Sequence, residues 1–180
     1  MIPVHIIVAK DEKSGIGKGG ELPWHLTGDL KNFRNITCTT RSPKKKNIVL
    51  MGRKTWQSIP KEFQPLPERI NVVLTQNPNL EVPYGVLKAE SFKKVLEMVH
   101  SEELKNIIET VYVIGGQQVY AETLKYKECQ KLLITQIQGS FNCDVFFPDF
   151  LQDFDKLSTS ALHNDGPVTY QFEEYERKSS

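Results

Sequence analysis

Five short apolar runs, rich in valine and isoleucine, dominate the pattern of this chain. They occupy residues 4–9, 47–51, 70–74, 111–114 and 132–137. Runs of this length and composition are typical of strands that are buried on both faces of a sheet. Helical spacing of apolar positions is found between several of them, at residues 29–37, 54–59, 91–100 and 117–126. The pattern therefore predicts strands that alternate with helices.

This alternation predicts an α/β fold, with a mainly parallel sheet covered by helices on both sides. The last part of the chain differs, because residues 154–162 and 169–176 have the pattern of two strands around the turn Asn164-Asp165-Gly166-Pro167. We expect this segment to add an antiparallel hairpin at one edge of the sheet. No repeat or linker divides the 180 residues, a length that suits one domain.

Composition and charge exclude several classes of function. A net charge of +1, with both signs interspersed, gives no overall attraction to nucleic acid or membrane. The three cysteines, Cys38, Cys129 and Cys143, form no CxxC pair, which argues against disulfides and zinc and fits a reducing cytosol. The four histidines show no metal-ligand spacing. The apolar N-terminal run is predicted to be a strand rather than a signal peptide, and no apolar stretch is long enough to cross a bilayer.

The most informative segment is residues 15–33, GIGKGGELPWHLTGDLKNF. It places Asp29 at the start of an amphipathic helix, on the stripe that also carries Leu30, Phe33 and Ile36. Such an acid is either a partner of the helix dipole, the more common case, or the one charged group of an apolar pocket. The segment alone leaves both interpretations open.

Residues 15–20 of this segment match the pattern G-x-G-x-x-G, but the context of a dinucleotide fingerprint is missing. Residues 10–14 separate the glycines from the first strand, and Pro23 prevents a helix directly after them. We interpret the segment as a mobile loop that can close over a ligand, with an ordinary flexible turn as the alternative.

Two other glycine turns are better candidates for binding a phosphate. The first is Gly52, followed by Arg53, Lys54 and Thr55, where cations, a hydroxyl and free amides meet at a helix start. The second is the pair Gly115-Gly116 between a predicted strand and a predicted helix. Each turn alone is weak evidence for a phosphate site, since α/β proteins often use glycine merely to turn the chain. Two such turns in one domain suggest a ligand with more than one phosphate.

Arg69 opens the predicted strand at residues 70–74 after a proline-rich turn. In the more common case, such an arginine is solvated and has no specific role. In the functional interpretation, Arg69 binds a substrate carboxylate through two parallel hydrogen bonds.

Taken together and in order, these motifs resemble the dihydrofolate reductases over nearly the whole chain. The matching segments are IVA at 7–9, GIG at 15–17, LPW at 22–24, MGRKTW at 51–56, SIP at 58–60, PLPERINVVLT at 65–75, VIGG at 113–116 and DVFFP at 144–148, together with Asp29, Phe33, Val119, Tyr120 and Thr135. The ordered set is far more specific than any one motif.

The resemblance implies a single three-layer αβα domain over residues 1–180, with a mixed, mostly parallel eight-stranded sheet and an antiparallel C-terminal strand. It implies a cytoplasmic enzyme, monomeric and without a metal, that reduces dihydrofolate to tetrahydrofolate with NADPH in one-carbon metabolism and binds antifolate inhibitors. It also implies a cis peptide between Gly115 and Gly116.

The resemblance further implies a role for individual residues. Asp29 would contact and polarise the pterin ring, Thr135 would orient its carboxylate, and Trp24 would hold a structural water. The catalytic set is Asp29, Leu22 and Trp24. The substrate-binding set is Ile7, Val8, Asp29, Leu30, Phe33, Arg34, Phe63, Leu66, Arg69, Ile114, Tyr120 and Thr135. The cofactor-binding set is Ala9, Gly15, Ile16, Gly17, Lys18, Gly19, Gly20, Glu21, Gly52, Arg53, Lys54, Thr55, Leu74, Thr75, Gln76, Gly115, Gly116, Gln117, Gln118, Val119 and Tyr120.

The chain departs from the pattern of the family at two positions. Gln76 stands where many members carry an arginine for the ribose 2′-phosphate, and Glu90 stands near another position that is often basic. Arg53 and Thr75 would then hold that phosphate with less help. Two alternatives stay open. One is another NADPH reductase on the same scaffold, of the type that acts on riboflavin precursors, and the other is a nucleotide-binding module without catalysis.

Overall fold

A computed structural model describes residues 2–179. The elements in chain order are β1 (Val4–Lys10), β2 (Gly15–Gly17), α1 (Thr27–Cys38), β3 (Lys46–Gly52), α2 (Arg53–Ser58), β4 (Ile70–Leu74), β5 (Leu87–Ala89), α3 (Phe92–Val99), β6 (Ile108–Gly115), α4 (Gln117–Thr123), β7 (Cys129–Ile137), β8 (Val145–Phe146), β9 (Phe154–Thr159), β10 (His163–Asp165) and β11 (Val168–Arg177). A short 3₁₀ turn, Lys61–Phe63, follows α2.

The central sheet has the strand order β10-β11-β7-β1-β6-β3-β4-β5. All neighbours from β7 to β5 are parallel, whereas β11 is antiparallel to β7. β9 and β10 both pair with β11, on the edge that β7 leaves free, so the sheet has eight strand positions. The predicted mixed, mostly parallel eight-stranded sheet with an antiparallel C-terminal strand is confirmed.

The helices cover both faces of the sheet because the buried side chains of each strand alternate between them. On β3, Val49 and Met51 pack with Trp56 of α2. Ile48 and Leu50, which point to the other side, pack in the core that contains residues of α3 and α4. α1 lies on the face of Val49, where the side chain of Asn47 binds its last turn. The predicted three-layer αβα architecture is confirmed.

The predicted elements agree with the structure to within a few residues, and β4 has the predicted bounds. The predicted strand at 154–162 was too long, because it breaks after Thr159 and β10 begins at His163. At the break, the hydroxyl of Ser160 accepts a hydrogen bond from the amide of Phe172. The predicted C-terminal hairpin is formed by β10 and β11. β2, β5 and β8 were not predicted, because strands of two or three residues show no periodicity.

Within residues 2–179, no helix combines the length and the apolar character that crossing a membrane requires.

Candidate active site

The parallel strands bring most of the predicted site residues to one end of the sheet, where the carboxyl ends of the strands lie. β1, β3, β4 and β6 end at Lys10, Gly52, Leu74 and Gly115, and the predicted cofactor residues at or near these ends share that edge. The carboxyl ends of parallel strands are where α/β proteins bind ligands, because the strand-to-helix turns expose backbone groups there.

Asp29 lies in the first turn of α1, on the side that faces β7. The hydroxyl of Thr135 donates a hydrogen bond of 2.5 Å to Oδ1 of Asp29. No other hydrogen bond to this carboxylate is formed within residues 2–179. Burial raises the pKa of Asp29 above the usual aspartate value, and the threonine hydrogen bond opposes that shift only in part. The site thus contains a half-buried carboxylate with most of its acceptor capacity free.

Three contacts that the sequence did not reveal hold α1 over the sheet. The carboxylate of Asp165, in the C-terminal hairpin, accepts a hydrogen bond of 2.5 Å from the amide of Thr27. At the other end of the helix, the side-chain amide of Asn47 donates to the backbone carbonyls of Thr37 and Thr39. Gly28 sits so close to Tyr170 that a Cβ there would lie 2.1 Å from the tyrosine hydroxyl. These contacts fix the height and direction of the helix that carries Asp29.

Trp24 is buried, and its ring packs edge-on against Phe141 with the ring centroids 5.3 Å apart. Its Nε1 has no hydrogen-bond partner within the described residues. A buried indole N–H without a partner fits a position beside a bound water, as the resemblance implies. Leu22, two residues earlier, is exposed.

Leu30, a predicted substrate-binding residue, is 47% exposed. Among the described residues, it belongs to none of the three buried apolar clusters. Phe33, one turn further, is half-buried. Phe33 therefore supplies apolar surface one helical turn from Asp29, on the same side of α1.

Ile7 and Val8 were both predicted to form the walls of the ligand site, but they point to opposite faces of β1. Ile7 lines a cavity of about 270 Å³ together with Ile36 and Thr135. Val8 packs into the core on the other face, so only its backbone can border the site. Tyr120 is buried on that second face too, and its hydroxyl donates to the carbonyl of Ile7.

Arg69 is buried, with 8% of its surface exposed. Its Nη1 donates to the hydroxyl of Thr37 over 2.8 Å, its Nε donates to the carbonyl of Pro67, and the guanidinium lies 5.8 Å from the Phe33 ring centroid. Among residues 2–179, no carboxylate lies within 4.0 Å of it. Burial lowers the pKa of Arg69 below its usual value. A buried cation without an anionic partner is what an anionic ligand would complete.

The loop before Arg69 is held by Asn71, which the sequence did not single out. Its side chain accepts from the amide of Leu66 and donates to the carbonyls of Leu66 and Arg69. Leu66 is therefore fixed and partly buried, whereas Phe63, before this loop, is exposed. A polar side chain inside an apolar strand was the only signal for this role.

The two predicted phosphate-binding turns are in contact with each other. A Cβ placed on Gly52 would lie 3.1 Å from Cγ2 of Val119 and 3.9 Å from the amide of Gly116. The hydroxyl of Thr55 faces the second turn, 3.3 Å from a Cβ placed on Gly115. The peptide between Gly115 and Gly116 is cis, which confirms that prediction. The starts of α2 and α4 therefore lie close together.

The glycine-rich segment at 15–21 is a small hairpin-like structure rather than an open loop. β2 pairs with β8, and Lys18 and Glu21 exchange backbone hydrogen bonds of 2.9 and 3.0 Å. The amide of Gly19 donates to Asp144. That this segment closes over a ligand stays a prediction. The pairing of β2 with β8 and the hydrogen bond from Gly19 to Asp144 anchor it in the structure.

Comparisons with known proteins agree with this geometry. The family model described as dihydrofolate reductase matches residues 3–177. The chain is 37% identical over 184 residues to the dihydrofolate reductase of Rattus norvegicus and 34% identical over 178 residues to that of Aedes albopictus, covering 98% and 96% of those proteins and of this chain. A solved structure of Schistosoma mansoni dihydrofolate reductase superposes with a TM-score of 0.87 at 32% identity, over 98% of this chain and 99% of that one.

A bifunctional dihydrofolate reductase-thymidylate synthase of Glycine max is 40% identical over 179 residues. The match covers 97% of this chain and 34% of that protein, so the chain spans about a third of the length of this relative. The family model and the full-length relatives give the same assignment. The chain therefore belongs to the dihydrofolate reductase family, the oxidoreductases that reduce dihydrofolate.

Proposed function

We propose that this chain reduces 7,8-dihydrofolate to 5,6,7,8-tetrahydrofolate with a hydride from NADPH, and that Asp29 is the residue on which the reaction depends. The observation that carries the proposal is the state of the Asp29 carboxylate. It is half-buried, and within residues 2–179 it receives one hydrogen bond, from Thr135, which leaves most of its acceptor capacity free.

Asp29 would bind the pterin through two parallel hydrogen bonds, from the amide nitrogen and the exocyclic amino group of the ring. A carboxylate suits this pair of donors, because its two oxygens match their spacing. Thr135 occupies Oδ1 from the β7 side and so fixes the plane of the carboxylate. A negative charge beside the ring stabilises positive charge that develops on it, which favours protonation of the imine nitrogen through water.

The fit of a dinucleotide rests on the two touching glycine turns. Gly52 and the Gly115-Gly116 pair leave no Cβ between the backbone and a ligand, and the amides of Gln117, Gln118 and Val119 precede the first helical hydrogen bond, which Tyr120 donates to Gly116. Arg53, Lys54 and Thr55 would add two cations and a hydroxyl. Bound there, NADPH would supply the hydride.

The remaining site residues would align the ligands and exclude water. Arg69 would bind a carboxylate of the glutamate tail, a role supported by its burial without an acid in contact. Phe33 and Leu66 would flank the tail. Leu22, which is exposed, would pack on the bound ligands and lose its contact with solvent. Alignment of the reacting atoms is worth more than any single contact of this kind.

Several properties follow from the family and complete the proposal. The reductase would act as a single domain over residues 1–180, as a cytoplasmic monomer that takes small-molecule substrates and antifolate inhibitors rather than nucleic acid or membrane. NADPH would be preferred over NADH, with Arg53 and Thr75 as the contacts to the 2′-phosphate.

A single assay tests the function. The purified chain is mixed with NADPH, and the oxidation of NADPH is followed with and without dihydrofolate. We expect oxidation that depends on dihydrofolate and that an antifolate inhibits. NADPH binding without turnover would instead establish a non-catalytic module. Turnover with a riboflavin precursor, but none with dihydrofolate, would establish the other reductase class.

A further inference from the structure

Two successive residues at the start of α1 rest on the sheet. Asp29 accepts the hydrogen bond from Thr135 of β7. Gly28, directly before it, lies against the hydroxyl of Tyr170 on β11. Thr135 lies opposite Phe172 in the pairing of β7 with β11, and Phe172 is two residues from Tyr170, so the side chains of Thr135 and Tyr170 point to the same face of the sheet. The two supports therefore stand side by side under the first turn of α1.

The contact between Gly28 and Tyr170 leaves no room for a side chain on the helix. A Cβ placed on Gly28 would lie 2.1 Å from Oη of Tyr170 and 3.4 Å from its Cζ, and outside the adjacent backbone of α1 these are the only described atoms within 4 Å. Non-bonded heavy atoms normally stay roughly 3.5 Å apart, so an alanine would force the helix start or the ring to move by about 1 Å. The hydroxyl oxygen is the one atom responsible, because Cζ is already at an ordinary contact distance.

Tyr170 is not free to swing away from the helix. It is 3% exposed and packs with Trp24 and Leu26 in one of the buried clusters. The ring of His163 stacks on it with the centroids 5.6 Å apart, and the ring of Phe172 meets it edge-on at the same centroid distance. Its strand, β11, is hydrogen-bonded to β7, β9 and β10. The hydroxyl of Tyr170 is therefore a fixed stop for the start of α1.

We propose that Tyr170 is a positioning residue for the reduction of dihydrofolate, whose hydroxyl sets the height of the α1 start at which the Asp29 carboxylate meets both Thr135 and the pterin. The inference rests on the proposed function, in which Asp29 binds the pterin. Tyr170 acts through the backbone of Gly28 and not by contact with the reacting atoms. A displacement of about 1 Å in an active site costs on the order of 10²-fold in rate, so a support one residue from the acid affects turnover.

The test is a cycle of two substitutions, Gly28→Ala and Tyr170→Phe, made singly and together. Alanine introduces the Cβ, and phenylalanine removes the one oxygen that this Cβ would meet. The matched control combines Gly28→Ala with Tyr175→Phe, because Tyr175 is a buried tyrosine of the same strand that packs into the core on the other face of the sheet. Thermal unfolding of each variant verifies that it is folded.

Two measurements are made on each variant. Stopped-flow single turnovers give the rate of hydride transfer from NADPH to dihydrofolate, and steady-state assays give the Michaelis constants. An NMR titration of the Asp29 carboxyl carbon, without added ligand, reports on the hydrogen bond from Thr135, because that hydrogen bond lowers the pKa of Asp29. A residue that only stabilised the fold would change the unfolding temperature and would move neither the hydride-transfer rate nor the pKa of Asp29.

We expect Gly28→Ala to slow hydride transfer by about 10- to 10²-fold and to raise the pKa of Asp29 further, with little change in the Michaelis constant for NADPH. Tyr170→Phe alone should slow hydride transfer about two- to fivefold, with a smaller rise of that pKa, because the stop is removed but nothing is forced apart. The double variant should regain the rate and the Asp29 pKa of Tyr170→Phe. The control with Tyr175→Phe should remain as slow as Gly28→Ala.

Parent-like hydride transfer in Gly28→Ala would overturn the proposal. So would a double variant as slow as Gly28→Ala, or a Tyr175 control that recovers as much as the double variant. If Gly28→Ala does not fold, Tyr170→Phe decides, and parent values of both its hydride-transfer rate and its Asp29 pKa would overturn the proposal.

This failure is distinguishable from failure of the proposed function. If the parent chain reduces dihydrofolate and the cycle shows no coupling between positions 28 and 170, only the role of Tyr170 is wrong. If the parent chain does not reduce dihydrofolate, the proposed function is wrong, and the titration of Asp29 still shows whether Tyr170 positions its carboxylate.

Discussion

Two aspartates of this protein differ in their hydrogen bonds and in the direction of their pKa shifts. Asp11, directly after β1, is 1% exposed, and Asp29, on α1, is half-buried. The pKa of Asp11 lies below the usual aspartate value, whereas that of Asp29 lies above it.

Burial of Asp29 and the backbone hydrogen bonds of Asp11 together explain the difference in pKa. Burial by itself would raise the pKa of Asp11, but the backbone amides of Phe141, Gly15 and Lys13 all donate to its carboxylate and lower the pKa below the usual value. Asp29 receives one hydroxyl, from Thr135. Asp11 is therefore a satisfied acceptor that ties β2 to the segment before β8, whereas Asp29 retains capacity for a ligand. The free acceptor capacity of its carboxylate distinguishes Asp29, the proposed catalytic acid, from Asp11.

The substitution Asp29→Asn should have the largest effect on activity. The amide retains the shape but not the charge, so we expect turnover of dihydrofolate to fall about 10²–10⁴-fold at neutral pH, with partial recovery at lower pH, where the substrate is already protonated. Steady-state rates from pH 5 to pH 8 measure this. Near-normal turnover of the variant at pH 7 would refute the assignment of Asp29.

The same variant should not be less stable at neutral pH. The pKa of Asp29 is raised in the folded protein, so the proton on this group stabilises the fold at low pH, and that contribution is lost as the pH rises through the folded pKa. Removing the charge should leave the free energy of unfolding at pH 7 unchanged or increase it. Urea unfolding of both proteins at pH 7 is the measurement.

A pair of arginines extends the comparison to cations. Arg177 donates to the carbonyls of Leu124 and Cys129 and lies over the ring of Phe154, so its role is structural. Arg69 makes contacts of the same kind, to Pro67, Thr37 and the Phe33 ring, but it would also bind the carboxylate of the substrate tail. We expect Arg69→Leu to raise the Michaelis constant for dihydrofolate about 10²-fold, with little effect on a pterin that lacks the glutamate tail. Arg177→Leu should lower stability instead, and equal losses with both substrates would make Arg69 structural too.

Exchange of Asp11 for asparagine should sharpen the contrast from the structural side. Loss of the charge weakens three hydrogen bonds, and we expect the free energy of unfolding to fall by about 2 kcal/mol at pH 7. Because the pKa of Asp11 is lowered on folding, its contribution is present above the unfolded value of 3.8 and is lost as the pH falls through the folded pKa. Urea unfolding from pH 7 to pH 3 should therefore show the two proteins converging in acid.

The smallest expected effect concerns the helix that carries Asp29. Asp165→Ala removes the carboxylate that accepts from the amide of Thr27, at the start of α1. Loss of a helix cap costs about 1 kcal/mol. We expect that decrease in urea unfolding, and Asp165→Asn should restore most of it because asparagine also caps. A full loss in both variants would show that the charge of Asp165, rather than its hydrogen bond, stabilises α1.

The sequence predicted what is periodic or local. The five apolar runs became β1, β3, β4, β6 and β7, and the strand-to-helix glycines marked the turns that now face each other. The ordered motifs, rather than the apolar pattern, identified Asp29 and Arg69 as site residues.

The missed features join residues far apart in the chain. Asp11 reaches Phe141, and Asp165 reaches Thr27 across 138 positions. Asn47 and Asn71 looked like ordinary strand positions, although they hold α1 and the Arg69 loop. Such contacts depend on tertiary packing, which no local pattern encodes. By contrast, the sequence could have predicted that Val8 and Ile7 point to opposite faces of the sheet, because side chains alternate along β1.

The most direct test of the comparison is an NMR titration of the side-chain carboxyl carbons in the free protein, with Asp11→Asn and Asp29→Asn used to assign the two signals. We predict that Asp29 titrates above the usual aspartate value of 3.8 and Asp11 below it. A pKa of Asp29 at or below that of Asp11 would contradict the claim that Asp29 is the acid whose acceptor capacity is left free for a ligand.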